Sequence, residues 1–180
     1  TTIANINTLA EQIARLNKEI VATNGTGVNA SGLIDARDNK IDELARLVAV
    51  QVVEQPDGSR SVSLRGGQPL VIGSLASRMS AVANADGSQT LFIDFAQESF
   101  NLAKTSLGGE LGGLDNFERE VLVPTMTSMM EMAQQLAESV NDQLALGFAL
   151  DGTPGLPLFE FDTTGVTGTL RIRSGIIAQD

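Results

Sequence analysis

No cysteine, histidine, tryptophan or tyrosine occurs in the 180 residues. Without cysteine there is no disulfide, no thiolate nucleophile and no thiolate-bound metal. Without histidine the commonest general base is missing, and no Ser-His-Asp triad can be assembled. This double absence is the strongest argument against an enzyme. Aromatic residues are down to seven phenylalanines, a poor platform for stacking sugars. Positive charge is scarce too. Twelve Lys and Arg against 22 Asp and Glu leave a net charge of −10, which opposes binding to nucleic acid or to an anionic membrane surface. No apolar run approaches the roughly 20 residues needed to span a bilayer.

What the chain does have is helical periodicity. From Gly108 to Phe148 it opens with GGELGGLDNFEREVL, passes Pro124, and meets no further glycine or proline until Gly147. Apolar residues recur at Leu122, Met126, Met129, Ala133, Leu136, Val140 and Leu144, in steps of three and four that keep one stripe on one face. Asp115, with Glu118 three residues on, has the form of a capping box, so the helix is expected to run from 115 to 148. Pro124 lacks an N–H and crowds the carbonyl of Glu120. The helix should therefore kink there or split into two. The glycine pairs Gly108–Gly109 and Gly112–Gly113 mark a sharp entry.

Residues 1–22 form a first helix, with Ile6, Leu9, Ile13, Leu16 and Ile20 at alternating spacings of three and four. The loop TNGTGVNAS follows, and its two Asn-x-Ser/Thr sequons are those expected by chance in so polar a loop. A second helix covers 33–48. Its Asp35, Asp38 and Asp42 fall at helical spacing, but Arg37 and Lys40 between them point to a solvated, salt-bridged face and not to a metal site. From Val50 the period changes to two. Strands at 50–54 and 61–65 flank Asp57-Gly58, residues 69–73 continue the extended pattern, and strands at 78–83 and 89–95 flank Asp86-Gly87. A last strand is expected near 100–104. After the long helix, LDGTPGLPLF is a rigid turn, followed by short extended pieces at 159–161 and 169–173. The chain starts inside a helix pattern and stops without a terminator, so it is expected to be a segment of something longer.

None of the motifs carries chemistry. GGELGGL is followed by Leu114 and Asp115, where a phosphate loop needs Lys and Ser/Thr, and the aspartate would repel phosphate. No nucleophile elbow is present. Paired carboxylates for hydrolysis are the only catalytic option left open, because their separation is a three-dimensional fact. The group Met126, Met129, Met130 and Met132 is either core or an adaptable binding surface. No catalytic, cofactor-binding or metal-ligating residue is assigned, and no cofactor is expected.

Several blocks together resemble a known family. Leu33-Ile34-Asp35-Ala36-Arg37-Asp38 with IDELARLV, Gly67-Gln68-Pro69-Leu70-Val71-Ile72-Gly73, Gly109 to Leu114 with Phe117 to Pro124, and Leu150 to Gly155 with Phe159 stand in order across roughly 6–161. In that order they are similar to the family of the flagellar hook-associated protein that forms the first hook–filament junction. The resemblance implies a secreted, extracellular structural subunit of the bacterial flagellum, with no catalytic residues. Its implied partners are other copies of itself in an axial ring, the hook protein and the next junction protein. No nucleic acid or membrane is implied, and the family's terminal helical segments are missing here. The rivals are another exported structural or adhesive protein, such as a filament cap or a flagellin-like subunit, and a carboxylate-dependent hydrolase domain.

The expected fold is α+β. Residues 1–49 and 105–150 form a long-helix bundle, residues 50–104 an inserted small antiparallel β meander, and 151–180 an extended segment. The two outer helices should pack lengthwise, with helix 33–48 against them, and satisfy each other's stripes, leaving an isolated segment that stays monomeric.

Overall fold

The computed structural model describes residues 1–26, 29–149, 151–162 and 169–174. Expectations for 163–168 and 175–180 lie outside the described residues. The fold is α+β. In chain order it has helices α1 (Thr2–Asn24) and α2 (Ser31–Leu47), then strands β1 (Val50–Glu54), β2 (Arg60–Leu64), β3 (Pro69–Ile72), β4 (Leu75–Ala76), β5 (Arg78–Ala83), β6 (Gln89–Phe95) and β7 (Glu98–Asn101). These are followed by α3 (Gly109–Phe117), a π turn (Glu118–Leu122), α4 (Val123–Ala145), β8 (Phe159–Asp162) and β9 (Thr169–Ile172). The chain divides into two compact units, 1–84 with 89–117 and 85–88 with 118–180.

The first unit has one core drawn from helices and strands alike. Ile6, Leu9 and Ile13 of α1 and Ile41 and Leu44 of α2 join Val62, Leu64, Leu70, Val71, Met79 and Ile93 of the strands in a single buried cluster. The α1 stripe expected to meet the long C-terminal helix is thus covered by α2 and by the two sheets. Residues 50–104 therefore do not stand apart as a subdomain. Burial explains the difference. Five-residue strands cannot bury enough apolar surface by themselves, whereas one face laid on α1 and α2 removes several large aliphatics from water, each worth about 1.5–3 kcal/mol.

Strands β1 to β7 form two antiparallel sheets, ordered β1-β2-β3-β4 and β5-β6-β7. The expected final strand at 100–104 lies a little earlier, at Glu98–Asn101, where it pairs with β6. Asp57-Gly58, Asp86-Gly87 and Asp151-Gly152 each place glycine at a φ between 81° and 87°. Each aspartate accepts a hydrogen bond from the backbone N–H two residues on, at 2.9–3.0 Å.

Two further expectations need correction. Helix α3 begins at Gly109, so Asp115 lies inside it and is not its N-cap. The entry is made by the glycine pair: Gly108 and Gly109 have φ near +59°, and the Gly108 carbonyl accepts from Gly112 N–H at 2.8 Å. A Cβ on Gly109 would lie 2.7 Å from the Leu47 carbonyl carbon, so this corner accepts only glycine on steric grounds. Arg37, expected on a solvated face, is buried at 1% exposure. Its guanidinium donates to the Gly58 carbonyl at 2.7 Å and to Asp38 at 3.2 Å, tying α2 to the β1–β2 turn.

At Pro124 the helical run does break. It passes through a five-residue π turn before α4 resumes with the proline in its first turn. Proline cannot donate to the Glu120 carbonyl and its ring crowds that oxygen, so the backbone widens by one residue ahead of it. In the second unit the hairpin β8–β9 packs on α4. The expected extended segment is in this part a folded β-hairpin, registered Phe159 to Ile172 and Asp162 to Thr169.

Candidate interaction surface

Among the described residues no group of three or more Asp and Glu side chains is placed to hold a metal ion, and no helix is long and apolar enough to cross a membrane. Asp35, Asp38 and Asp42 share no ligand geometry. Asp38 instead accepts from Arg60 at 2.6 Å, with Glu54 on the same guanidinium at 3.5 Å, and Lys40 pairs with Glu43 at 2.7 Å. Three turn aspartates have displaced pKa values. Asp57, Asp86 and Asp151 all lie below the ordinary carboxylate value, held there chiefly by the hydroxyls of Ser59, Ser88 and Thr153 and next by the backbone N–H groups of the same residues. All three are fully exposed turn positions. These are structural hydrogen bonds.

Three asparagines fasten helices to strand backbones. Asn7 of α1 accepts from Met79 N–H at 2.8 Å and donates to its carbonyl at 2.9 Å. Asn17 does the same for Arg60, at 3.0 and 2.8 Å, and also donates to the Gly73 carbonyl. Asn141 of α4 grips Phe159 through both its N–H and its carbonyl, at 2.9 and 2.8 Å. A side-chain amide presents one acceptor and one donor side by side, so it replaces a neighbouring strand at an open backbone edge. Sequence reading missed all three; the one available signal was a polar amide beside an apolar stripe, as Asn17 sits beside Leu16 and Ile20.

Apolar surface is also left open. On α4 the side turned to the hairpin holds Gln134, Ala137, Glu138 and Asn141, against Phe159 and Phe161. The other shoulder of the stripe is open: Met129, Met132 and Leu136 are 61%, 62% and 56% exposed. Their spacing of three and four puts them in one row. Of the methionine group, Met126 and Met130 are half-buried while Met129 and Met132 face solvent, so the group serves as core and as surface. In the first unit, Leu75 and Ile72 are exposed on the β3–β4 hairpin. Leu75 lines a shallow groove of about 370 Å³ with Ala14, Arg15 and Lys18 of α1. Exposed apolar rows of this kind are candidate interaction surfaces.

A family model described as the flagellar hook-associated protein FlgK helical domain matches residues 1–159. The chain belongs to the FlgK family. Flagellar hook-associated protein 1 of Salmonella typhimurium is 34% identical over 163 residues, covering 87% of this chain and 30% of that protein. The Escherichia coli protein of the same name matches at the same identity and coverage. Among solved structures, that of the flagellar hook junction protein FlgK from Burkholderia pseudomallei superposes with a TM-score of 0.76 at 36% identity, over 89% of this chain and 30% of that one. The chain thus spans 30% of the length of these FlgK relatives. The FlgK match runs through α1, both sheets and α4, the elements that carry the asparagine clamps and the open apolar row.

Proposed function

We propose that the full-length protein is an exported, extracellular structural subunit of the bacterial flagellum, placed where hook meets filament. It works by packing helices in an axial assembly and not by catalysis. Its partners are other copies of itself, the hook protein and the next protein of the junction. The observation that carries this reading is the uncovered row Met129–Met132–Leu136 on α4, in a segment with no histidine or cysteine. A solvated enzyme domain gains nothing from such a row, whereas a subunit whose neighbours arrive on assembly requires one. The printed names of the relatives, hook-associated protein and hook junction protein, support the location.

Deleting the full-length gene in its own host tests the proposal. The expected result is cells that make hooks, lack attached filaments and do not swim, with both defects reversed by the wild-type gene. Normal filaments in the deletion strain would refute the junction role.

A further inference from the structure

We infer that Met129 and Met132 are a modification site, a pair of methionines that peroxide oxidises to sulfoxides ahead of the other methionines of this chain, turning the apolar row on α4 polar. Only the free chain is needed, so the site stands apart from the assembly role proposed above. The side chains that ordinarily consume an oxidant are missing, for the 180 residues hold no cysteine, tryptophan, tyrosine or histidine. Reactive sulfur is confined to five methionines, Met79, Met126, Met129, Met130 and Met132.

The fold sorts the five by access. Met79 of β5 is 2% exposed, in the core of the first unit. Met126 and Met130 of α4 are half-buried. Met129 and Met132 are 61% and 62% exposed. At about 100° per residue, Ala137 and Asn141, which face the hairpin β8–β9, lie across the helix from Met132. The hairpin therefore leaves this pair open. A thioether reacts only where the oxidant reaches its sulfur, so a core methionine waits for local opening and these two do not.

The oxidant is hydrogen peroxide. The Sδ lone pair attacks one peroxide oxygen, the O–O bond breaks, and the departing hydroxide takes the proton from the transferred oxygen and leaves as water. Each sulfur is oxidised by two electrons and each peroxide is reduced by two. The product is polar and chiral where the thioether was flexible and apolar. Leu136, the third member of the row, does not react, so oxidation leaves it as the row's one apolar side chain. Methionine sulfoxide reductases, one per epimer, return the thioethers at the expense of a dithiol, which becomes a disulfide as the oxygen leaves in water. Leucine matches methionine in helix propensity and nearly in volume. Met129→Leu with Met132→Leu therefore keeps the row apolar and removes its response.

The test treats the full-length protein, as free monomer, with hydrogen peroxide and follows each methionine over time by peptide mass spectrometry. The expected result is one added oxygen on Met129 and on Met132 at rates roughly tenfold or more above Met79, with Met126 and Met130 between. Both oxygens should be removed by the two reductases. The oxidised protein should also elute earlier from a hydrophobic-interaction column, and M129L/M132L treated in the same way should shift less. Equal rates at all five methionines, or Met126 or Met130 reacting first, overturn the inference. A shift of the same size in M129L/M132L would place the polar change elsewhere, and unchanged elution of the oxidised wild type would mean that the row is not open; either result also overturns it. All of these outcomes are read on the monomer, whereas failure of the junction role shows in the deletion strain.

Discussion

Asn17 illustrates how single residues hold this protein together. It is fully buried, and its amide satisfies the N–H and carbonyl of Arg60 together with the carbonyl of Gly73. Asn17→Ala would leave these three backbone groups without that partner, at a cost of about 1–3 kcal/mol per group left dry. The expected outcome is a lower urea midpoint with an unchanged helix signal; an unchanged midpoint would mean that water replaces the amide. The turn aspartates give a second expectation at this scale. Hydrogen bonds from Ser59, Ser88 and Thr153 stabilise the ionised forms of Asp57, Asp86 and Asp151, so their folded pKa values lie below the unfolded ones. Their contribution to stability is present above the ordinary carboxylate value and is lost as pH falls through the folded values. Carboxyl titration by NMR should show all three below that value in the folded chain and back at it in urea. Ser88→Ala should raise Asp86 alone.

Among elements, the helix through Pro124 shows what periodicity discloses and what it hides. The steps of three and four identified an amphipathic helix, and the missing N–H of proline located the break. Replacing the proline tests that cause: Pro124→Ala should let 118–122 close into α geometry, with the new amide at 124 protected from hydrogen exchange. A π turn that survives the substitution would place its cause elsewhere. Periodicity did not disclose which partner covers which stripe. A repeat of 3.6 fixes that a face is apolar, but nothing in it distinguishes a neighbouring helix from a sheet, so the share of the α1 stripe that the sheets cover is not legible from it. The same limit misjudged Leu136. Read as core, Leu136→Ala would cost about 2–5 kcal/mol; at 56% exposure it should cost less than about 0.5 kcal/mol in this chain. Ile13→Ala, at a residue with no exposure, should show the larger cost. Equal melting shifts for the two would contradict the burial described. The strands were easier to read, because Asp57-Gly58 and Asp86-Gly87 announce left-handed turns and fix where each hairpin reverses. Docking of those strands on α1 depends on Asn7 and Asn17, whose role is visible only once an open strand edge lies opposite.

For the whole molecule, the sequence argument against catalysis came from missing residue types, and the family resemblance came from the order of blocks such as GQPLVIG and GELGGL. Neither bears on how copies meet. The monomer expectation relied on α1 and α4 satisfying each other's stripes, and the exposed row on α4 removes that support. On the role proposed above, this row is a surface buried by assembly. The most direct measurement is the thiol labelling rate of Met132→Cys in the full-length protein, first as free monomer and then in purified flagella. The account predicts rapid labelling in the monomer and a rate lower by roughly tenfold or more in flagella. Equal rates in the two states would contradict it.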